Sequence, residues 1–68
     1  MGKVRVPRRV LEGLEAVRTS GLTNMFDRRA VTTLASEFGF DEASRWIKTH
    51  RKQFAEGIFH GFTATEEK

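Results

Sequence analysis

Sixty-eight residues allow one domain, and a domain of about 60 residues buries only about 60% of the surface its unfolded chain exposes, so the core is small and stability modest. The absence of Cys excludes a disulfide framework and thiolate metal sites, and no apolar run approaches the roughly 20 residues that span a bilayer. Twelve Lys and Arg against nine Asp and Glu give a net charge of +3, a mild excess that suits phosphates or an acidic protein face without making the chain a polycation.

The opening MGKVRVPRRV leads into LEGLEAV rather than a continuous apolar segment, so neither a secretory leader nor a membrane anchor is read there. Positions 1–6 show no period and are expected to form a loose basic arm. Pro7 suits the first turn of a helix, where its missing N–H is not needed. The stripe Val10, Leu14 and Val17, with Leu11 beside it and Gly21 as terminator, predicts a first helix over 7–19. Arg8 and Arg9 oppose the macrodipole in its first turn, at a cost on the order of a few tenths of a kcal/mol each. No compensating residue is visible in the sequence, which marks the pair as candidate binding residues.

The loop SGLTNMFD sets turn formers beside large apolar residues. Either Asn24 caps the next helix with Asp27 as its capping-box partner, or Asp27 is itself the cap. Met25 and Phe26 are expected to tuck under the bundle. A second helix over 25–38, starting at Met25 or at Arg28, follows from the stripe Val31, Leu34, Ala35 and Phe38. Gly39 reads as a left-handed terminator, Phe40 as the apolar contact after it, and Asp41 as the N-cap of a third helix. That helix, over 41–60, organises the chain: FGFDEASRWIKTHRKQFAEGIFHGF holds most of the Phe residues and the Trp. Ala43, Ile47, His50, Phe54 and Ile58 form its apolar stripe, and Arg45, Lys48 and Lys52 form a cationic ridge on the opposite side, with Arg51 beside it. Trp46 and Ile47 are expected to bury against the first two helices, with Phe38 and Phe54 as neighbours. No run alternates with period two, so no sheet is expected, and the residues after Phe62 read as a frayed polar tail. The expected architecture is all-α: a compact three-helix domain with helices over 7–19, 25–38 and 41–60 and an ordered core over 7–62.

The runs TSGLTNMFDRRAV, LASEFGF and WIKTHRKQF resemble a family of short phage- and prophage-encoded proteins known only as a domain of unknown function. The resemblance extends over 10–62. It departs from the family's HRKEY at Gln53 and Phe54, neither of which disturbs a helix. What it implies is a viral or mobile-element setting in the cytoplasm of a host bacterium, with no assigned chemistry.

Chemistry has little purchase in the residues themselves. His50 and His60 lie ten positions apart, about 15 Å along one uninterrupted helix, too far to share a metal. His50 falls in the apolar stripe, where a hydrogen-bonded core histidine is the expected role. The serines occupy no triad-like context, no Gly-rich phosphate loop is present, and neither cofactor nor metal is expected. A helix-turn-helix places apolar residues six and nine positions after its turn glycine, and here those are Arg45 and Lys48. The expectation is a non-enzymatic binding module whose basic face, Arg45, Lys48, Arg51 and Lys52 with Arg8, Arg9, Arg28 and Arg29, engages DNA or RNA or a phage or host protein. A protein partner calls for an exposed apolar patch, with Phe59 and Phe62 as its candidates. The rival reading is an enzyme, or an accessory subunit of a larger phage or host enzyme, with Asn24, Asp27 and His50 as its polar centre. A homodimer is also in keeping with so small a core.

Overall fold

The computed structural model describes residues 2–65. In chain order the elements are β1 (Val4–Val6), α1 (Arg8–Ser20), α2 (Arg28–Glu37), α3 (Asp41–Thr49), α4 (Arg51–His60) and β2 (Phe62–Ala64). The fold is mostly helical, as the periodicity indicates, but the described residues form four helices rather than three and a small sheet. The whole measures 30 × 24 × 22 Å.

α1 buries Val10, Gly13, Leu14 and Val17, the face set by its 3.6-residue period. Gly13 lets α3 come close: a Cβ there would sit 2.5 Å from that of Ala43 and 2.9 Å from that of Phe40. Asp27 is the N-cap of α2, its carboxylate accepting from the Ala30 N–H at 3.2 Å, which relieves one of the unpaired donors of the first turn. Asn24 serves the turn before it, its Oδ1 accepting from the Phe26 N–H at 2.8 Å. α2 ends in a Schellman motif. Gly39 takes φ +92, its N–H donates to the Ser36 carbonyl and that of Phe40 to the Ala35 carbonyl, as the Gly39-Phe40 pair indicates. Phe38 departs from the expected stripe and stays 39% exposed. Phe40, not Asp41, is the N-cap of α3, without a side-chain bond, and Asp41 and Glu42 occupy the first turn, where negative charge favours the helix dipole.

The expected long helix over 41–60 is two helices. α3 stops at Thr49, and His50 takes φ −127 and ψ 58 before α4 begins at Arg51. Side chains compete for the last carbonyls of α3: the Thr49 hydroxyl donates to the Arg45 carbonyl at 3.0 Å, and His50 Nδ1 donates to that of Trp46 at 3.0 Å. Such bonds offer the backbone an alternative to helix propagation. The His50 carbonyl then accepts from the Phe54 N–H and opens α4. The ridge Arg45, Lys48, Lys52, drawn as one helical stripe, is therefore divided between two helices.

The N-terminal segment is not a loose arm. β1 pairs with β2 in parallel, Val4 opposite Phe62, Arg5 opposite Thr63 and Val6 opposite Ala64. All four helices lie within the crossover that a parallel pair requires. Val6 is fully buried. Of the tail expected to fray, positions 63–64 belong to the strand Phe62–Ala64, and positions 66–68 lie outside the described residues. Three-residue strands are too short to show alternation, which is why the sequence signals no sheet.

The core comprises Val6, Val10, Leu14, Val17, Val31, Ala35, Ala43, Ile47 and Phe54. Ile47 is fully buried, whereas Trp46 is half-buried at the margin, in contact with His50 and Phe62 rather than Phe38. The Phe62 ring occupies the space where a Gly57 side chain would stand.

Candidate functional site

The loop between α1 and α2 carries Phe26 outward. Its turn is fixed by the Asn24 side chain, and by the Asp27 N–H donating to the Asn24 carbonyl at 2.9 Å. Phe26, expected under the bundle, is 65% exposed, while Met25 is half-buried against the core. From α4, Phe59 is 75% exposed, as its place opposite the core stripe suggests. The two rings meet edge to face, centroids 5.7 Å apart and planes at 64°. Phe62, proposed beside Phe59 as part of an exposed patch, is instead half-buried against Trp46 and Phe54.

Two clefts open beside this pair. One, of about 190 Å³, is floored by Phe54, Ala55 and Ile58, walled by Phe26 and Phe59, and bordered by Arg28 and Arg51, with no carboxylate in its lining. The other, of about 440 Å³, lies on the far side of Phe26 and Ile58. Leu14, Met25 and Phe62 line it together with Lys3, Glu15 and Arg18. Glu15 is held by Arg18 in an ion pair across one turn of α1.

The predicted cationic residues line several different clefts. Arg28 and Arg51 share the first cleft; Arg9 and Arg45 share a different one of about 350 Å³ with Asp41 and Glu42. Arg29 lies in another beside Asp27 and Glu37. Arg8, Lys48 and Lys52 are exposed and line none of these. Among the described residues none of the eight forms a salt bridge.

The polar residues considered for catalysis, Asn24, Asp27 and His50, are engaged separately. Asp27 and Asn24 are engaged in the cap and turn above. His50 stacks on Trp46 and bonds the Trp46 carbonyl and the Thr49 hydroxyl, not Asp27 or Glu37. Among the described residues no three His, Cys, Asp or Glu side chains cluster as a metal site would need. No described helix is long and apolar enough to cross a membrane.

The family model described as a domain of unknown function (DUF5049) matches residues 7–62. The chain belongs to this family. The match takes in every helix and all four side chains bordering the smaller cleft, Phe26, Phe59, Arg28 and Arg51, while β1 falls outside it. No curated protein and no solved structure matches the chain.

Sequence reasoning missed Phe26 because an apolar residue in a loop is ordinarily a core anchor. The available signal was the flanking pair Asn24 and Asp27. Both side chains bond the local backbone and fix a tight turn in which Met25 packs on the core and Phe26 faces solvent.

Proposed function

We propose that the domain is a small non-enzymatic binding module of phage or prophage origin, acting in the cytoplasm of the host bacterium, and that it engages a protein partner through Phe26 and Phe59. The observation that carries the reading is the exposed pair itself. Two phenyl rings at 65% and 75% exposure, held by a fixed turn and a helix in so small a domain, are an apolar surface that solubility alone disfavours. Aromatic and arginine side chains around a shallow cleft are also the composition of interface hot spots. The phage setting follows from the resemblance of the TNMFD and HRKQF segments to phage-encoded proteins.

Nucleic-acid binding is the second reading, favoured by the eight exposed or half-exposed cationic side chains, which form no ion pair among the described residues. Its demand is a steep loss of affinity with salt. The first reading ranks above it because the cations are divided among several clefts, some shared with carboxylates.

Capture from cells carrying the phage or prophage, with and without nuclease, tests both. A protein retained by the wild type after nuclease and lost with the doubly substituted Phe26→Ser/Phe59→Ser chain supports the module. Retention that nuclease abolishes supports the second reading, and equal retention by both chains overturns the first.

A further inference from the structure

We infer that the two clefts flanking Phe26 and Ile58 take an acidic protein segment bearing two large apolar side chains, one seated in each cleft, with carboxylates beside them. This rests on the protein-binding reading above and names the chemistry of the partner.

The geometry is bipartite. Phe26 and Ile58 belong to both linings and form the ridge between the clefts. Their floors are apolar on both sides, so each accepts an aliphatic or aromatic anchor at the cost of little polar desolvation. The rims carry a net positive charge. Arg28 and Arg51 border the smaller cleft; on the larger, Arg18 and Glu15 neutralise each other as an ion pair and Lys3 supplies the excess. Anchors flanked by Asp or Glu meet these rims with complementary potential, which fixes register and excludes neutral or basic competitors.

The same features disfavour other occupants. A single strand of nucleic acid asks for aromatic faces on which successive bases stack, whereas Phe26 and Phe59 present their rings to each other at 64°. A second copy docked symmetrically on this surface would set Arg28 and Arg51 against their own counterparts, a like-charge contact that costs affinity.

The test uses the full chain as bait for a random displayed library of about 16-residue peptides. Fluorescence anisotropy then follows the selected peptide, and amide shift mapping locates it. The expected result is selection of sequences rich in Asp and Glu around two large apolar residues, with shifts at Met25, Phe26, Ile58 and Phe59. Replacing either anchor by Ser should weaken binding about tenfold or more. The Arg28→Glu/Arg51→Glu chain should lose a similar factor and recover it with a peptide whose flanking acids are Lys. Phe59→Ser, a substitution at an exposed position that leaves the charges intact, should weaken both peptides alike.

Selection of neutral or basic sequences, or of none, overturns the proposal. So does the same set of shifts produced by a single-stranded oligothymidylate, or by raising the protein's own concentration without peptide. If cellular capture still depends on Phe26 and Phe59 while the library yields no acidic sequence, the module stands and the acidic partner falls. If the aromatic substitutions change neither assay, both fall.

Discussion

Trp46 and His50 lie face to face, ring centroids 4.8 Å apart and planes within 7°, directly over the break between α3 and α4. The imidazole also donates to the Trp46 carbonyl, so one side chain both ends a helix and covers the exposed margin of the indole. Replacing His50 by Ala should cost about 0.5–1.5 kcal/mol for the lost aromatic pair and weaken the near-ultraviolet circular dichroism of Trp46. An uninterrupted helix would respond in the opposite sense, because Ala is the best helix former. Thermal melts and dichroism of the two proteins decide between these.

The break leaves the core seam where the periodicity puts it. Ile47 is fully buried and Phe54 3% exposed, while the neighbouring Lys48 is exposed. Ile47→Ala should cost about 2–5 kcal/mol, comparable with the roughly 3–5 kcal/mol that one core of this size supplies. The variant should be largely unfolded at room temperature. Lys48→Ala should stay within about 0.5 kcal/mol of the wild type. Denaturant titrations of both check the rotation of α3 about its own axis.

Gly57 and Phe62 form a second interlocked pair, since any Cβ at Gly57 would collide with the ring. Gly57→Ala should therefore destabilise by about 1–3 kcal/mol through overpacking. In a Phe62→Ala background the collision is gone, and the same change should become neutral or favourable by up to about 1 kcal/mol, the helix preference of Ala over Gly. A double-mutant cycle measures the sign reversal directly.

The strand pair makes its own demand. Val6 is fully buried, and its carbonyl accepts from the Thr65 N–H at 2.7 Å. Val6→Thr keeps the side-chain shape and β preference but buries a hydroxyl, at a cost of about 1–3 kcal/mol. Hydrogen exchange should show the Thr65 amide protected in the wild type and faster in the variant. An unstructured arm would leave both amide rate and stability unchanged.

Where the sequence proved legible, a local rule decided the matter. The α1 stripe and the glycine-aromatic end of α2 are set by periodicity and a left-handed residue, both of which a short window contains. Asp27, one of the two caps weighed, is the one that bonds Ala30. The break at His50 has no such marker, because no Gly or Pro stands there and the competing bonds come from Thr49 and His50, residues whose weak helix preference does not by itself mark an end. Val4–Val6 was illegible for a different reason: its partner strand comes from the far end of the chain, and no window spans both. At the candidate site the outward place of Phe59 could be read from its angle on the helix. Phe26 carries only the weaker signal of the turn formers Asn24 and Asp27, since its exposure depends on how a loop turns rather than on a repeat.

The parallel clasp has a consequence for synthesis on the ribosome. α1, α2 and α3 can assemble from neighbouring segments as they emerge, but Val6 stays wetted until Phe62–Ala64 is made and pairs with β1. Contacts between segments so far apart in sequence form late and carry the loop-closure cost of everything between them. A chain that lacks Phe62–Ala64 therefore holds its helices beside an unsealed edge, open to proteases and chaperones.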